Sequence, residues 1–339
     1  MRAAIMRQVA RPLEIEDVPL PEIGPDEVLV ETRCCGICGT DLHIMDGFGY
    51  VPPLPHILGH EPSGVVAAVG NRVTGFRAGD RVVPHLFFSC GECYHCRVGS
   101  QQQCIDLRGI LGVLCPGAFA EYFKAPAANL FKLPENIPFD QGGLVADAVI
   151  TSVHAFKRSG LRLGDKAVVI GAGGIGLTLL QLLCAAGVSA IAVDRSDTSL
   201  EVARKLGAAL TLKAASEHAA AQIKEFTGGI GVRCVIDCVG NTDTLRAGAS
   251  YVMRGGRIVV IGEGHDTPPT STIEIAQKEL EIMGSRNGTR QDMVEAIHLL
   301  ESGVVEPQIA RRFSLAEINA AFDFVRRGAT GRVIVTVRP

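Results

Sequence analysis

Residues 167–194 read AVVIGAGGIGLTLLQLLCAAGVSAIAVD, and the reading of this stretch decides the fold. Residues 167–170 are a short apolar run rich in β-branched side chains, and Gly171, Gly173 and Gly176 follow in G-x-G-x-x-G spacing. A helix-length apolar segment then runs to Ala186, and residues 190–193 make a second buried strand. The order predicted is strand, glycine turn, helix, strand. The three glycines play separate roles. The first turns the chain tightly, the second lets backbone approach a pyrophosphate, and the third lets helix and strand pack closely. The turn, with Gly174 and Ile175 inside it, then presents the unpaired N–H groups of a helix N-terminus to phosphate.

Glycine spacing alone is weak evidence in a chain with 39 glycines. Context strengthens it, because the turn lies between strand and helix and Asp194 follows Gly176 by 18 residues at a strand end. A carboxylate there accepts hydrogen bonds from ribose hydroxyls, so the stretch is read as a dinucleotide site. Asp194 favours NAD, since its charge repels the additional 2′-phosphate of NADP. Arg195 beside it argues the other way, as a guanidinium able to swing toward that phosphate.

With 339 residues and 47% hydrophobic content, the chain is long enough for about two domains with cores of their own. The net charge of −3 is spread over interspersed signs, which argues against a nucleic-acid face and against a polybasic membrane segment. A small molecule is the expected partner. No apolar run reaches membrane-spanning length, and the N-terminal residues lack the apolar core of a signal peptide, so the cytoplasm is the expected location. The 11 cysteines are odd in number and clustered, a pattern of metal ligands plus buried thiols in a reducing compartment.

The half before the glycine turn, residues 1–150, reads as short strands punctuated by Gly and Pro, clearest at 28–32, 63–69 and 81–84. From 151 to 289 strands alternate with helical stretches, as in parallel crossover units, with strands at 232–237, 257–261 and 280–284. After residue 290 come helical segments at 292–302 and 315–326 and a last strand at 332–337. That strand is expected to lack a partner nearby and to return to complete the first half.

The loop CGECYHCRVGSQQQC carries Cys90, Cys93, Cys96 and Cys104. Four thiolates this close in a polar, glycine-containing loop can close a Zn–S4 shell, which leaves no open position and so braces a lobe without doing chemistry. Disulfides and an iron–sulfur cluster are the alternatives. Two other pieces, GICGTDLH with Cys38, Thr40, Asp41 and His43, and GHE with His60 and Glu61, hold the mixed donors that a catalytic zinc requires. Read singly, Cys38 and His60 would each pass as core or loop residues.

Together and in order, GICGTDLH, GHE followed by SGVVAAVG, GDRVV, the cysteine loop, GAGGIG and GRVIVTV resemble the zinc-dependent medium-chain alcohol dehydrogenases over essentially the whole chain. The resemblance implies an α/β protein. Its GroES-like β-rich catalytic domain would span 1–150 and be completed by 290–339, with a Rossmann domain at 151–289 and the active site in the cleft between them. It implies two zinc ions, NAD as coenzyme and a homo-oligomer. It casts Cys38 and His60 as ligands of the catalytic zinc, and Glu61 as a carboxylate able to approach the metal during ligand exchange. Asp41 becomes the acid that orients the liganding histidine. Thr40 and His43 become a proton relay, for which imidazole suits the solvent end because it titrates near neutral pH. Asp237 is assigned to the cofactor cleft, with a structural role as the alternative.

The pattern departs from its commonest form at the third ligand. Here VADAVITSVHAF places Asp147 where many relatives carry cysteine, and a carboxylate can ligate zinc, although a helix-capping role is the alternative. The implied reaction is reversible hydride transfer between NAD and a primary, secondary or cyclic alcohol, with zinc as Lewis acid. Rival readings are a polyol or amino-alcohol dehydrogenase, a metal-free enoyl or quinone reductase, and a catalytically silent NAD-binding protein.

Overall fold

In the computed structural model, which describes residues 1–214, 218–264, 266 and 271–338, the chain divides into two compact units. One consists of Met1–Ile150, Thr289–Gly303 and the chain from Ile309; the other consists of Thr151–Gly288 and the short return Val304–Gln308. That return was expected with the first unit. It joins the second because the Gln181 side chain grips Glu306 at both backbone groups, donating to its carbonyl at 3.0 Å and accepting from its N–H at 2.8 Å.

The second unit is built on a six-stranded parallel sheet in the order Leu210–Lys213, Ser189–Asp194, Lys166–Ile170, Val232–Asp237, Val252–Val260, Glu281–Gly284. Its central strands, Ser189–Asp194, Lys166–Ile170 and Val232–Asp237, are buried nearly throughout because both faces are covered. Ala167, Val169, Ala190, Ala192 and Ile236 point to one side, where they pack with Leu177, Leu180 and Leu183 of the helix Gly174–Ala185. Val168, Ile170, Ile191, Val193 and Val235 point to the other, toward Ile223 and Tyr251 of the helices Ala219–Phe226 and Thr242–Tyr251. The order reverses direction beside Lys166–Ile170, so the glycine turn leaves the sheet at a topological switch point.

The first unit holds a seven-stranded sheet around the long strand Glu27–Ile37. This strand is long enough to take two neighbours on one side. Its first half pairs with Tyr122–Pro126 and its second half with Arg332–Thr336, while Glu61–Val69 runs antiparallel along its other edge. The C-terminal strand therefore does complete the first half. It also has a local partner, the parallel strand Ile309–Ser314, which corrects the expectation that it would find none. Exposed Arg311 and Arg312 hide the apolar alternation of that neighbour in the sequence.

Register fixes what meets at the end of this sheet. Gly36 lies opposite Glu61 and Ile37 opposite Val333. Cys38, just past the end of one strand, His60, just before the start of the next, and Arg332, opening the third, are thereby brought to one edge although up to 294 positions separate them.

Candidate functional site

The four cysteines of the polar loop converge. Sulfur separations are 3.5 Å for Cys93–Cys96 and Cys90–Cys104, and 3.9 Å for Cys90–Cys96 and Cys93–Cys104. Zinc bound to four sulfurs at about 2.3 Å separates them by about 3.8 Å, so the loop is already shaped to that tetrahedron. Disulfides are excluded, because none of the 11 cysteines is disulfide-bonded and no disulfide spans such distances. A multi-iron cluster with bridging sulfides would need the cysteines further apart. Backbone N–H groups of Glu92 and Cys93 donate to the Cys90 sulfur and help hold its thiol below the usual range. Cys93, receiving backbone hydrogen bonds, is brought down to about 6, whereas burial pushes Cys104 up to about 11.

The second cluster gathers Cys38, His60, Glu61 and Asp147, with a ligand atom from each lying within 4.8 Å of the others. Cys38 opens the helix Gly39–Met45, and Asp41 in its first turn accepts the Cys38 N–H at 2.9 Å. The same fully buried carboxylate accepts from Gly59 N–H at 3.3 Å and meets His60 Nδ1 at 3.1 Å. That contact places the proton on Nδ1 and leaves Nε2 as a ligand, the usual way an acid orients a metal-binding histidine. Asp147 sits between the short helical turn Leu144–Ala146 and the helix Ala148–Ser159, with its Oδ2 3.4 Å from Cys38 Sγ. Glu61 lies over Gly36, where any Cβ would collide with its carboxylate.

The electrostatics of this pocket call for positive charge. Burial pushes Glu61 up to about 8, against the pull of Arg332. For Asp147 burial acts in the same direction, but Arg332, His60 and neighbouring hydrogen bonds outweigh it and bring the carboxyl down to about 2. His60 is buried, which disfavours its proton, yet Asp41 and Cys38 raise it well above its ordinary value. Two carboxyl groups and the Cys38 thiol face one guanidinium, with Asp41 behind His60, and the S, N and O donors gathered here could hold a divalent ion.

Thr40 and His43 lie on the same helix, three positions apart and hence on one face. The Thr40 hydroxyl is 3.9 Å from Cys38 Sγ, and the half-buried His43 ring stands edge-on to Phe48 at 5.3 Å.

In the second unit, Gly171 adopts φ +91°, and a Cβ on Gly176 would strike the Gly171 carbonyl, so both positions demand glycine. Gly173, at the N-cap, is different: an added Cβ meets no protein atom within 4 Å, which leaves the space above it for a ligand. Gly174 and Ile175 begin the helix that follows. The Asp194 carboxylate ties the turn to its strand, accepting from Ala172 N–H at 2.6 Å and Ser196 N–H at 2.7 Å, and Arg195 follows it at the strand's end. Asp237 is fully buried, and its oxygens receive Val239 N–H, Gly240 N–H and the Thr244 hydroxyl, so in this unit it braces the loop after its strand.

Residues 24–135 match the alcohol dehydrogenase GroES-like domain, and residues 174–302 match the zinc-binding dehydrogenase domain. An alcohol dehydrogenase of Geobacillus stearothermophilus is 35% identical over 99% of this chain and 100% of that protein. The chain belongs to the zinc-dependent medium-chain alcohol dehydrogenase family. An L-threonine 3-dehydrogenase of Bacillus velezensis is 34% identical, covering 99% of this chain and 98% of that one. Among solved structures, the alcohol dehydrogenase of the hyperthermophilic archaeon Aeropyrum pernix has a TM-score of 0.94 at 31% identity, covering 99% of this chain and 100% of its own.

Sequence reasoning about this dehydrogenase missed Arg332. The only signal was an arginine opening an otherwise apolar strand, and nothing local says which acids it will face. It missed the role of Gly36 for the same reason.

The glycine turn and the two metal clusters can each be probed by substitution. Gly176→Ala should cost about 1–3 kcal/mol of stability through overpacking, whereas Gly173→Ala should stay within about 0.5 kcal/mol and lose dinucleotide affinity; chemical denaturation and NADH titration measure both. Cys38→Ser should lose one zinc while the lobe keeps its own, and Cys93→Ser should do the converse with a fall in thermal midpoint, as read by metal analysis and calorimetry.

Proposed function

We propose that Cys38, His60 and Asp147 hold the catalytic zinc of an NAD-linked alcohol dehydrogenase, and that Cys90, Cys93, Cys96 and Cys104 hold a structural zinc. The observation that carries this reading is the convergence of one thiol, one imidazole and two carboxylates at the end of a sheet, in a chain that also has a dinucleotide turn. The reaction converts a primary, secondary or cyclic alcohol and NAD to the carbonyl compound, NADH and a proton, and runs in both directions. When bound, zinc supplies Lewis acidity toward the substrate oxygen and NAD accepts the hydride.

The chain's own residues do the rest. Asp41 holds His60 in its liganding tautomer, and Glu61 stands by as a reserve carboxylate. The Thr40 hydroxyl takes the alcohol proton, and His43, one turn further along the helix, delivers it to solvent. The glycine turn and Asp194 hold the dinucleotide, with Asp194 disfavouring a 2′-phosphate and Arg195 bordering it.

A homo-oligomer in the cytoplasm belongs to the same proposal. Among the described residues Glu281–Gly284 is the edge strand of its sheet and Ile282 on it is half-exposed, which supports assembly, and 11 cysteines outside any disulfide suit a reducing compartment. No helix among the described residues is long and apolar enough to cross a membrane.

Zinc near two per chain together with alcohol-dependent NADH formation is the expected result; one zinc with NADH binding alone would replace the enzyme reading by a silent binding protein. Thr40→Ala should lower turnover about 10²-fold or more, as for other general acid–base groups, with zinc content unchanged. Full turnover in that variant would remove Thr40 from the relay.

A further inference from the structure

Arg332 is 8% exposed and opens the strand Arg332–Thr336, yet neither zinc ligation nor proton transfer accounts for it. Its Nη2 donates to Asp147 Oδ2 at 2.9 Å and lies 3.0 Å from Glu61 Oε1. The two contacts differ in kind. Asp147 receives a hydrogen bond, whereas the contact with Glu61 is an ion pair without hydrogen-bond geometry, so the guanidinium holds Glu61 by charge while the Asp147 carboxyl stands beside it. Behind Glu61 lies Gly36, which has no side chain to wedge the carboxylate in place.

We propose that Arg332 is a positioning residue of the catalytic metal site: one guanidinium nitrogen fixes Asp147 as third ligand and draws Glu61 aside, which keeps the ion's fourth position for substrate. This inference rests on the ligand assignment above. A catalytic zinc needs that open position, and Glu61 is the competitor closest to it, with an oxygen inside the same 4.8 Å cluster. Without Arg332, Glu61 loses the guanidinium that draws it aside, and the ion is the cation left beside it. The carboxylate at position 147 fits this arrangement, because a guanidinium donates strong, charge-assisted hydrogen bonds to a carboxylate oxygen.

The test uses the zinc-loaded enzyme, with the lobe zinc as internal reference. Arg332→Met should slow loss of the catalytic zinc to a chelator about tenfold, within the range of outer-shell effects on affinity. It should also weaken the visible absorption of the cobalt-substituted enzyme, as a rise in coordination number does, and lower kcat more than it raises KM. Adding Glu61→Gln to Arg332→Met should restore both the chelator rate and the cobalt spectrum. Glu61→Gln alone, with Arg332 present, should leave the cobalt spectrum at its wild-type form, since Glu61 then stands off the resting ion. That single variant keeps the test alive should Arg332→Met not fold, because an altered cobalt spectrum in it would show Glu61 already on the metal and overturn the proposal. Zinc lost at an unchanged or faster rate from Arg332→Met would also overturn it, as would weaker NADH binding with an unaltered metal site. If the wild type retains only the lobe zinc, the ligand assignment itself fails; if it retains two and the variants behave alike, only the role of Arg332 does.

Discussion

Burying acids without enough bases is the constraint on which the catalytic unit depends. At one edge of its main sheet, Glu61 and Asp147 meet a single guanidinium, and Asp41 stands behind His60 beside Cys38, all of them buried or nearly so. An ion out of water costs several kcal/mol even after relaxation, and a buried pair broken on one side costs about 3–5 kcal/mol. Such a pocket persists only if charge is supplied in proportion. Arg332 supplies part of it from within the chain, and a divalent cation at the S, N and O donors would supply the rest. Metal affinity and the fold of this edge would thus be linked, since the carboxyl groups that could bind an ion are the ones buried here.

What makes the pocket possible is backbone register, not local sequence. The strand Glu27–Ile37 carries two neighbours on one side and one on the other, and its antiparallel pairing aligns its end with the beginnings of two strands from distant parts of the chain. A slip of one residue would turn Arg332 and Glu61 to the opposite face. The alternating burial of Val28, Val30 and Thr32 against the core specifies that register. Burial along the strand therefore sets how Cys38, His60 and Arg332 meet at its end. The cysteine lobe works differently. Its four sulfurs come from a span of 15 residues, so the loop needs no sheet to align them, only an ion to hold them at tetrahedral spacing.

This difference explains how far the sequence could be read. The glycine turn and the cysteine loop are local, and their residues stand in the chain at spacings that chemistry itself demands; they were legible from residues alone. Asp41 and His60 were legible only as members of a family pattern, because 19 residues and a change of strand separate them. Arg332 and Gly36 were not legible, since each acts through a partner that register alone supplies. The strand Ile309–Ser314 escaped because its outward arginines mask its pattern. The return Val304–Gln308 escaped because two hydrogen bonds from Gln181 outweigh its proximity in sequence to the first unit.

A thiolate and a carboxylate carry the same charge, but they differ in what else they can bind: the carboxylate has a second oxygen and accepts strong directional hydrogen bonds. At position 147 the hydrogen bond from Arg332 on Oδ2 links the third donor to the C-terminal strand, and through the same nitrogen to Glu61. A cysteine at this place would have one sulfur to offer, to an ion and to that nitrogen alike, whereas the carboxylate has two oxygens. The oxygen donor at position 147 thus lets one side chain face the guanidinium and a metal together, while the same nitrogen faces the acid beside the histidine.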